Sequence, residues 1–514
     1  MEVGSPALLP LNNLKTLAMN YKNICIALLT ILFACQKPVV QQKIDLAGEW
    51  KFAVDSLDEG ISGKWFDKEL TDKVMLPGSM TTNGKGNDIT LKTPWTGQIV
   101  DSSYFKKPEY AKFRQPGNIK IPFWLQPVKY YKGAAWYQRE VVVPENWNGG
   151  FIGLFLERCH WESRLWVDDK EIGMQNSLGT PHKYDLTRFL TPGKHRLSLC
   201  IDNRVKDIDP GINSHSISDH TQSNWNGVVG QMFLEARPLV YIRNVQVYPD
   251  IQGEKITVKI KVENPTGKPG LVTINLKVKD SEKSNEGKFE LIDGENLLTL
   301  SLEMGSDIKL WNEFHPNLYS LEVNLKDNNS GQSDIATTTF GMREFKISGK
   351  HILINGQPTF LRGTLECAIF PKTGYPATDI TEWLRIFKVA RTHGLNHFRF
   401  HSWCPPKAAF DAADQLGFYL HVECSSWANQ STTLGDGKPF DKYLYEESQR
   451  MIDEYGNHPS FCMMAYGNEP AGKNQGAFLT NFINFWKSKD NRRIYTSGAG
   501  WPNLPVNDYL SDSN

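Results

Sequence analysis

Short apolar runs alternate with turn-forming residues from residue 44 to about 238. The runs are rich in β-branched and aromatic residues and are separated by Gly, Pro, Asn and Asp, a pattern that predicts a jelly-roll-like β-sandwich. Long irregular stretches at 84–132 and 205–224 interrupt it, and loops of that length are expected to reach over a functional site. The predicted strands are Glu49–Val54, Ala135–Val143, Ile152–Glu157, Ser163–Val167 and His195–Ile201.

A second all-β block covers residues 239–341. Apolar and polar residues alternate strictly from Lys255 to Val262, and Asn264-Pro265-Thr266-Gly267 supplies turn chemistry. A block of this size predicts an immunoglobulin-like β-sandwich, although the Cys-Trp-Cys pattern of antibody domains is missing. Lys279–Lys288 is polar and is expected to form an exposed hairpin end.

The periodicity changes after Gly341 to apolar strands that alternate with amphipathic helices. This pattern predicts either a βα barrel or a doubly wound sheet over residues 342–514. Asp379 and Glu382 are spaced as a capping box, and Gly417 is placed to end the helix Pro406–Leu416. Further helices are predicted at Tyr443–Tyr455 and Phe478–Lys487, and strands at Thr359–Glu366, His397–His401, Phe418–Cys424, Phe461–Glu469 and Arg493–Ala499.

Four of these strands are largely apolar and then end in polar residues. The terminal residues are Glu366, His401, the Glu423-Cys424 pair and Glu469. Packing of a core strand gives no reason for such endings, and the carboxyl ends of parallel strands form the active face of βα folds. The four ends together predict an active site, although any one residue could be a satisfied structural group.

The N-terminus predicts export. Lys22 precedes the apolar run Ile24–Ala34, which is too short to span a bilayer and has the length of a signal h-region. Leu32-Phe33-Ala34-Cys35 resembles the lipobox of bacterial lipoproteins, so residues 1–35 are interpreted as a signal peptide with Cys35 as the lipidated residue. Met19 begins a signal of the usual length, which suggests that residues 1–18 follow from a misplaced start; the alternative is a buried core strand.

Composition narrows the class of partner. Lys+Arg and Asp+Glu both number 57, so no overall charge attracts the chain to nucleic acid. The 15 Trp and 18 Tyr favour carbohydrate only weakly, since most aromatic residues pack in cores. The cysteines beyond the signal are scattered singly, without the spacing of a zinc site or a disulfide framework. Composition thus leans only weakly toward a saccharide partner, and we expect a membrane contact only through the lipid anchor, no nucleic acid, no metal site and no cofactor.

From about residue 44 to the end the sequence resembles glycoside hydrolase family 2, which includes β-galactosidases, β-glucuronidases and β-mannosidases. The most specific match runs from Gly456-Asn457-His458-Pro459-Ser460 to Tyr466-Gly467-Asn468-Glu469. The resemblance implies a sugar-binding sandwich at 44–238, an immunoglobulin-like sandwich, and a TIM barrel. Other matching segments are Leu46–Trp50, Ala135–Arg139, Asp202-Asn203-Arg204, Asn224–Gly227, Leu310-Trp311 with His315–Tyr319, and Ile354–Pro358.

The resemblance also assigns roles. Glu469 would be the general acid/base, Asn468 would contact the sugar 2-hydroxyl, and His401 with Trp403 would contact the sugar. The segment around His401 departs from the family form, so a structural histidine is the alternative there. Glu366, Glu423 and Arg362 are weaker candidates for hydroxyl contacts or for orienting Glu469, and Arg362 could instead form a structural ion pair. Some family members carry a divalent ion such as Mg²⁺ near the acid/base.

Only about five barrel strands are predicted before Asn514, whereas a (β/α)₈ barrel has eight. The family's nucleophile, a Glu at the seventh strand, would lie beyond residue 514, so we expect a C-terminally truncated chain that is inactive alone. The function implied is a retaining exo-β-glycosidase, most similar to β-galactosidases, exported as a membrane-anchored lipoprotein. The alternatives are a non-catalytic carbohydrate-binding surface lipoprotein and a purely structural surface protein.

Overall fold

The computed structural model describes residues 1, 41–97, 103–120, 127–219, 224–429 and 431–511. The predicted apolar signal segment and the lipidation residue Cys35 lie outside these ranges. Within them, no helix is long and apolar enough to cross a membrane. The first sandwich, the second sandwich and the half barrel follow one another along the chain, so the fold class expected from the sequence is confirmed.

The first sandwich packs two antiparallel sheets over one apolar core. One sheet has the order β1-β11-β6-β9, with β4 beside β11, and the other has the order β3-β2-β5-β10-β7-β8. All five strands predicted from the sequence form here. The strands are β1 Gln42–Asp45, β2 Gly48–Asp55, β3 Asp72–Leu76, β4 Gly78–Ser79, β5 Ala134–Val143, β6 Phe151–His160, β7 Glu162–Val167, β8 Lys170–Gln175, β9 His182–Asp185, β10 Gly193–Asp202 and β11 Gly227–Arg237. The long loop between β4 and β5 carries the short helix α1, Ser103–Lys106.

The second sandwich has sheets β12-β13-β16 and β15-β14-β17-β18. The alternation predicted along β13 is confirmed, because Ile256, Val258, Ile260 and Val262 are fully buried while the residues between them are partly exposed. Burial of one face fixes the register of such a strand. The strands are β12 Tyr241–Asp250, β13 Lys255–Asn264, β14 Gly270–Val278, β15 Ser284–Leu291, β16 Gly294–Glu303, β17 Tyr319–Asp327 and β18 Ser333–Phe340.

A small antiparallel sheet, β19-β20-β21, leads into the barrel domain, whose described part has five parallel strands in chain order. The predicted helix ends are confirmed: the Asp379 side chain accepts a hydrogen bond from the Glu382 amide at 3.0 Å, and Gly417 adopts the left-handed conformation (φ 71°) that ends a helix. The elements are β19 Phe345–Ser348, β20 His351–Ile354, β21 Gln357–Pro358, β22 Gly363–Glu366, α2 Ile380–Thr392, β23 His397–Phe400, α3 Lys407–Leu416, β24 Tyr419–Glu423, α4 Pro439–Tyr455, β25 Phe461–Ala465, α5 Gln475–Lys489 and β26 Ile494–Thr496.

The second sandwich is joined to the amino ends of the barrel strands. Asn457 receives a hydrogen bond from the Val247 amide and donates to the Val245 carbonyl, both at 2.8 Å. The buried Arg343 guanidinium donates to the carbonyls of Pro459, Phe461 and Arg492. The Gly456–Ser460 motif is therefore structural, because it holds two domains together at the face opposite the strand carboxyl ends.

The first sandwich is joined to the barrel through Glu447 on α4, which is fully buried. Its carboxylate accepts hydrogen bonds from the amides of Leu178 and Gly179, at 3.1 and 2.6 Å, and from the Ser177 hydroxyl. Arg450 pairs with the same carboxylate at 2.8 Å. A buried charge with this many partners fixes the sandwich against the barrel, since each lost partner would leave it uncompensated.

Candidate active site

The polar residues predicted at the strand ends lie on one face of the half barrel, at the carboxyl ends of β22 to β25. The His401 amide donates to the Glu366 carbonyl at 3.0 Å, which joins the first two ends. The Ser402 amide donates to Glu423 at 2.6 Å, which joins the second and third. Parallel pairing continues past the strands through Trp427, Asn468 and Ala499.

Glu469 is partly exposed at this face. Its carboxylate accepts a hydrogen bond from the Trp427 indole nitrogen at 2.8 Å. Its backbone has φ 32°, an uncommon value for a residue with a side chain, and is held by the Ala499 carbonyl and the Asn429 amide at 3.3 and 3.0 Å. The backbone and the indole together fix the direction of the carboxyl group on this partly exposed residue.

The backbone conformation at position 467 explains why the segment before Glu469 contains a glycine. Its φ is 152°, and a Cβ at this position would lie 2.3 Å from the carbonyl oxygen of Ser426. A side chain would therefore push the strand end away from its neighbour. This close approach is what lets the Asn468 amide donate to that carbonyl, at 2.9 Å.

Asn468 is buried, and the Arg399–Glu423 ion pair orients its side chain. Arg399 donates to the Asn468 amide oxygen at 2.9 Å, and the same guanidinium pairs with Glu423 at 2.6 Å. Because Arg399 needs an acceptor, the Asn468 amide nitrogen must point the other way, and that nitrogen is buried without a hydrogen-bond partner. A buried donor without a protein partner is available to a water molecule or a ligand.

Glu423 is a positioning residue. It is fully buried, and its two carboxylate oxygens are taken by Arg399 and by the Ser402 amide. It fixes Arg399 and, through Arg399, Asn468. Its predicted roles, a hydroxyl contact or the orientation of Glu469, stay predictions; the contacts that it makes orient Asn468.

His401 is nine-tenths buried, and its Nδ1 atom has no hydrogen-bond partner. Its ring meets the Trp427 ring nearly edge-on, with centroids 4.8 Å apart. Burial lowers the pKa of His401, although Glu423 oppositely raises it, so the neutral imidazole is favoured. A neutral imidazole offers a hydrogen bond without carrying a charge into the site.

Glu366 stands at the edge of the sheet and accepts hydrogen bonds from the amides of Ala368 and Ile369, at 3.0 and 3.4 Å. Burial raises the pKa of its carboxyl to about 7, against the opposing effect of those amides. A carboxyl that is half protonated near neutral pH is typical of functional sites, although structural networks produce it too. Glu366 thus remains a candidate contact.

Two predicted contacts are corrected. Trp403 is only 2% exposed and packs in the barrel core against Phe370 and Phe400, so its ring does not line the site. Arg362 lies at the amino end of β22, on the opposite face, where it pairs with Glu313 of the second sandwich at 2.9 Å. It is the structural ion pair given as the alternative.

Sequence reasoning missed Trp427 and Arg399 as site residues. Arg399 could have been found, because it lies two residues before His401 and alternation along a strand places both side chains on one side. Trp427 follows the end of β24 after an irregular segment, and no periodicity fixes its direction. Among the described residues, no group of three or more His, Cys, Asp or Glu side chains is placed to hold a metal ion, and all six cysteines in those ranges are free thiols.

Comparison with protein families finds three matches that follow one another along the chain. Residues 44–238 match the model described as glycosyl hydrolases family 2, sugar binding domain. Residues 240–343 match the model described as glycosyl hydrolases family 2, and residues 345–509 match its TIM barrel domain.

Two curated relatives illustrate the likeness. A β-galactosidase of Oenococcus oeni is 23% identical over 90% of this chain and 43% of its own length. A β-glucuronidase of Paenibacillus borealis is 23% identical over 83% of this chain and 67% of its own. The chain thus spans less than half the length of the first of these relatives.

Solved structures share the fold. A β-glucuronidase of Bacteroides uniformis superposes with a TM-score of 0.69 at 18% identity, covering 90% of this chain and 53% of that one. A structure described as a putative β-galactosidase from Bacteroides fragilis also gives 0.69, at 17% identity, covering 91% of this chain and 65% of that one.

Proposed function

Since the chain belongs to glycoside hydrolase family 2, we propose that it carries the sugar-binding and acid/base half of a retaining exo-β-glycosidase that acts on terminal β-linked sugars. The observation that carries the proposal is the position of Glu469. Its carboxylate is held by Trp427, the residue is partly exposed, and it directly follows Asn468, whose amide nitrogen is unpartnered. A candidate proton donor thus comes from the same strand end as a candidate hydroxyl-binding group.

The chemistry needs such a carboxyl group because a glycosidic oxygen is a poor leaving group. Glu469 would donate a proton to that oxygen as the C–O bond breaks, and its carboxylate would then take a proton from the water that completes hydrolysis. Asn468, fixed by Arg399, would hold a sugar hydroxyl close by. His401 would offer its free Nδ1 to a second hydroxyl.

A retaining reaction also needs a nucleophilic carboxylate about 5–5.5 Å from the acid/base. Glu423 does not qualify, because both of its oxygens are engaged and it is fully buried. We propose that the nucleophile belongs to a part of the whole protein that follows residue 514. The 514-residue chain should then bind sugars without turning them over.

We propose galactosides as the substrates, because several of the curated relatives are named β-galactosidases, with β-glucuronides as the class against which they are to be tested. Arg399 at the site is already paired with Glu423 at 2.6 Å, so it offers no free charge to a uronate carboxylate.

The test compares two proteins, this chain and a longer form read from the genomic frame past codon 514. Both are assayed on 4-nitrophenyl β-D-galactopyranoside, β-D-glucuronide and β-D-mannopyranoside. The proposal expects turnover of the galactoside by the longer form alone. Turnover by the 514-residue chain would contradict the placement of the nucleophile, and faster turnover of the glucuronide would contradict the proposed substrate.

The second candidate is a non-catalytic carbohydrate-binding surface lipoprotein, and the match of residues 44–238 to a sugar binding domain favours it. A genomic stop codon directly after codon 514, together with glycan binding that survives Glu469→Gln, would support this candidate over the enzyme. For either candidate we propose export and anchoring through Cys35, which the apolar run Ile24–Ala34 and the preceding Lys22 suggest.

A further inference from the structure

A cavity of 340 Å³ lies at the junction of the second sandwich and the barrel. Residues 247–252, at the end of β12 and just after it, form one wall, and the barrel segments 456–459 and 491–492 form the other. The exposed Gln252 and Asn491 belong to the lining, so solvent reaches the cavity. The two barrel segments precede β25 and β26, which places the cavity at the face opposite the active site.

Arg343 lines this cavity and is a buried cation without an ion pair. Its side chain donates three hydrogen bonds, all to uncharged backbone carbonyls. A guanidinium group has five N–H donors, so two of those of Arg343 find no acceptor among the residues that the structure describes. A buried charge without a counterion is costly, and an anion that enters the cavity would lower that cost.

Two neighbouring guanidinium groups, those of Arg492 and Arg493, are also buried, and both pair with the carboxylate of Asp490. The five N–H donors of Arg492 are all used, so this residue brings charge to the cavity rather than a hydrogen bond. Burial lowers the pKa of Arg343, and the nearby Arg493 and Arg492 lower it further. The cluster thus holds three guanidinium groups against one carboxylate.

Tyr248 brings a second unused donor to the cavity wall. Two cations lie close to its ring: the Arg492 guanidinium is 4.3 Å from the ring centroid and the Lys259 ammonium 4.5 Å. Within the described part of the chain, the Tyr248 hydroxyl has no hydrogen-bond partner. A guanidinium and a hydroxyl donor beside excess positive charge are groups that bind oxyanions.

Two carboxylates also line the cavity, and both are engaged elsewhere. Glu344 pairs with Lys346 at 2.7 Å, and the exposed Asp250 accepts a hydrogen bond from the Gly253 amide at 2.8 Å. Neither is paired with Arg343. Because like charges repel, these carboxylates disfavour a long polyanion and leave room for one small anion.

We propose that the cavity binds a small tetrahedral oxyanion, inorganic phosphate or sulfate, through Arg343 and the Tyr248 hydroxyl. The charge of Arg492 attracts the anion. Tyr248 belongs to the second sandwich, whereas Arg343 is bonded to the barrel segment 459–461, so the anion joins the two domains. The site lies opposite Glu469, and the inference is independent of the proposed function.

The first test is equilibrium dialysis of the full 514-residue chain against radiolabelled phosphate in a chloride buffer of constant ionic strength. We expect saturable binding of one phosphate per chain, displaced by sulfate and not by chloride. Phosphate should also raise the melting temperature above its value in chloride, because a ligand that binds only the folded state stabilises it. Binding that does not saturate, or a melting temperature that rises equally in chloride, would overturn the inference.

Variants test the assigned donors. Tyr248→Phe removes only the hydroxyl and should weaken phosphate binding about 10-fold, the scale of one hydrogen bond to a charged group. Tyr241→Phe is the matched control and should bind as the wild type does: Tyr241 lies on the same strand, with the Arg237 guanidinium 5.3 Å from its ring centroid, but it does not line the cavity.

Arg343→Lys keeps the charge and loses the fork of donors, so it should weaken binding at least as much as Tyr248→Phe does. Thermal unfolding checks that each variant folds, and the two phenylalanine variants decide the matter if Arg343→Lys does not. Equal phosphate affinity of Tyr248→Phe and Tyr241→Phe would overturn the assignment.

Discussion

The indole nitrogen of Trp427 donates a hydrogen bond to the Glu469 carboxylate across 2.8 Å, joining the loop after β24 to the end of β25. The two residues are 42 positions apart in sequence. The bond holds the carboxylate of this partly exposed residue in one direction. The acid/base role proposed for Glu469 depends on this contact.

Glu469→Gln, made in a longer form that contains the nucleophile, should slow hydrolysis of natural β-glycosides by about 10²–10⁴-fold. Glutamine keeps the shape and accepts the Trp427 hydrogen bond, but it cannot give a proton to the leaving oxygen. Activated aryl glycosides need little protonation, so their first step should lose much less. Added azide should restore turnover because it attacks without a base.

The comparison of leaving groups is the measurement that separates catalysis from structure. Rates on a lactose-like disaccharide and on a dinitrophenyl glycoside are measured for the same preparation, with and without azide. Equal losses on both substrates, no rescue and a lower melting temperature would mean that Glu469 has a structural role only.

Glu366 should make the free energy of unfolding depend on pH. Burial raises the pKa of its carboxyl from 4.5 to about 7, so the folded state holds a proton that the unfolded state has already lost. This contribution is complete below pH 4.5 and is lost as the pH rises through 7. The loss should not exceed about 2 kcal/mol, which is less than the full pKa shift implies. The residue is partly exposed, and solvent weakens the effect of burial.

Glu366→Gln removes the titration and should flatten that part of the curve. The measurement is urea unfolding at a series of pH values from about 4.5 to 8. We expect the variant to gain stability relative to the wild type as the pH rises. Parallel curves for the two proteins would show that Glu366 titrates normally.

Glu447→Ala should destabilise the junction between the first sandwich and the barrel by about 3–5 kcal/mol. The change leaves Arg450 unpaired and the amides of Leu178 and Gly179 without their acceptor. The neighbouring Glu446, exposed and paired with Lys442 at the surface, is the matched control. Glu446→Ala should change the unfolding free energy by less than about 1 kcal/mol.

The junction can be probed separately at Gly179. A Cβ there would lie 2.9 Å from the Cβ of Cys404 and 3.1 Å from a carboxylate oxygen of Glu447. Gly179→Ala should therefore loosen the same contact without removing a charge. If the two variants unfold like the wild type, the carboxylate does not hold the domains together.

Cys35→Ser should abolish metabolic lipid labelling in a bacterial host and move the protein from the membrane fraction to a soluble one. The reason is that the thioether to the lipid forms on the cysteine that ends the lipobox. Cys25→Ser, within the same apolar run, is the matched control and should still be labelled. Unchanged membrane fractionation of the Cys35→Ser variant would contradict the proposed anchor.

The sequence by itself determined the order and type of the domains, because that information is local. Alternation along β13 fixed its buried face, the Asp379 cap fixed the start of α2, and Gly417 fixed the end of α3. The polar ends of the strands at Glu366, His401, Glu423 and Glu469 were also visible, since a buried strand has no packing reason to end in charge.

The tertiary structure alone decided which of those residues face the site. The sequence predicted Trp403 and Arg362 as sugar contacts. In the structure Trp403 lies in the barrel core, and Arg362 lies at the amino end of β22, on the face opposite the active site. Glu423 became an orienting group because Arg399 and Ser402 took both of its oxygens. Such outcomes depend on the directions of side chains from different strands, which no local pattern carries.

His215 and Trp427 are the clearest example of a contact that the sequence pattern does not predict. They are 212 positions apart, and each comes from an irregular loop, so neither periodicity nor spacing relates them. They meet because Glu447 docks the sandwich on the barrel and Ser402 anchors the loop. Contacts between distant segments are made by packing of whole domains, and this packing places the His215 ring of the first sandwich with its centroid 5.7 Å from that of Trp427.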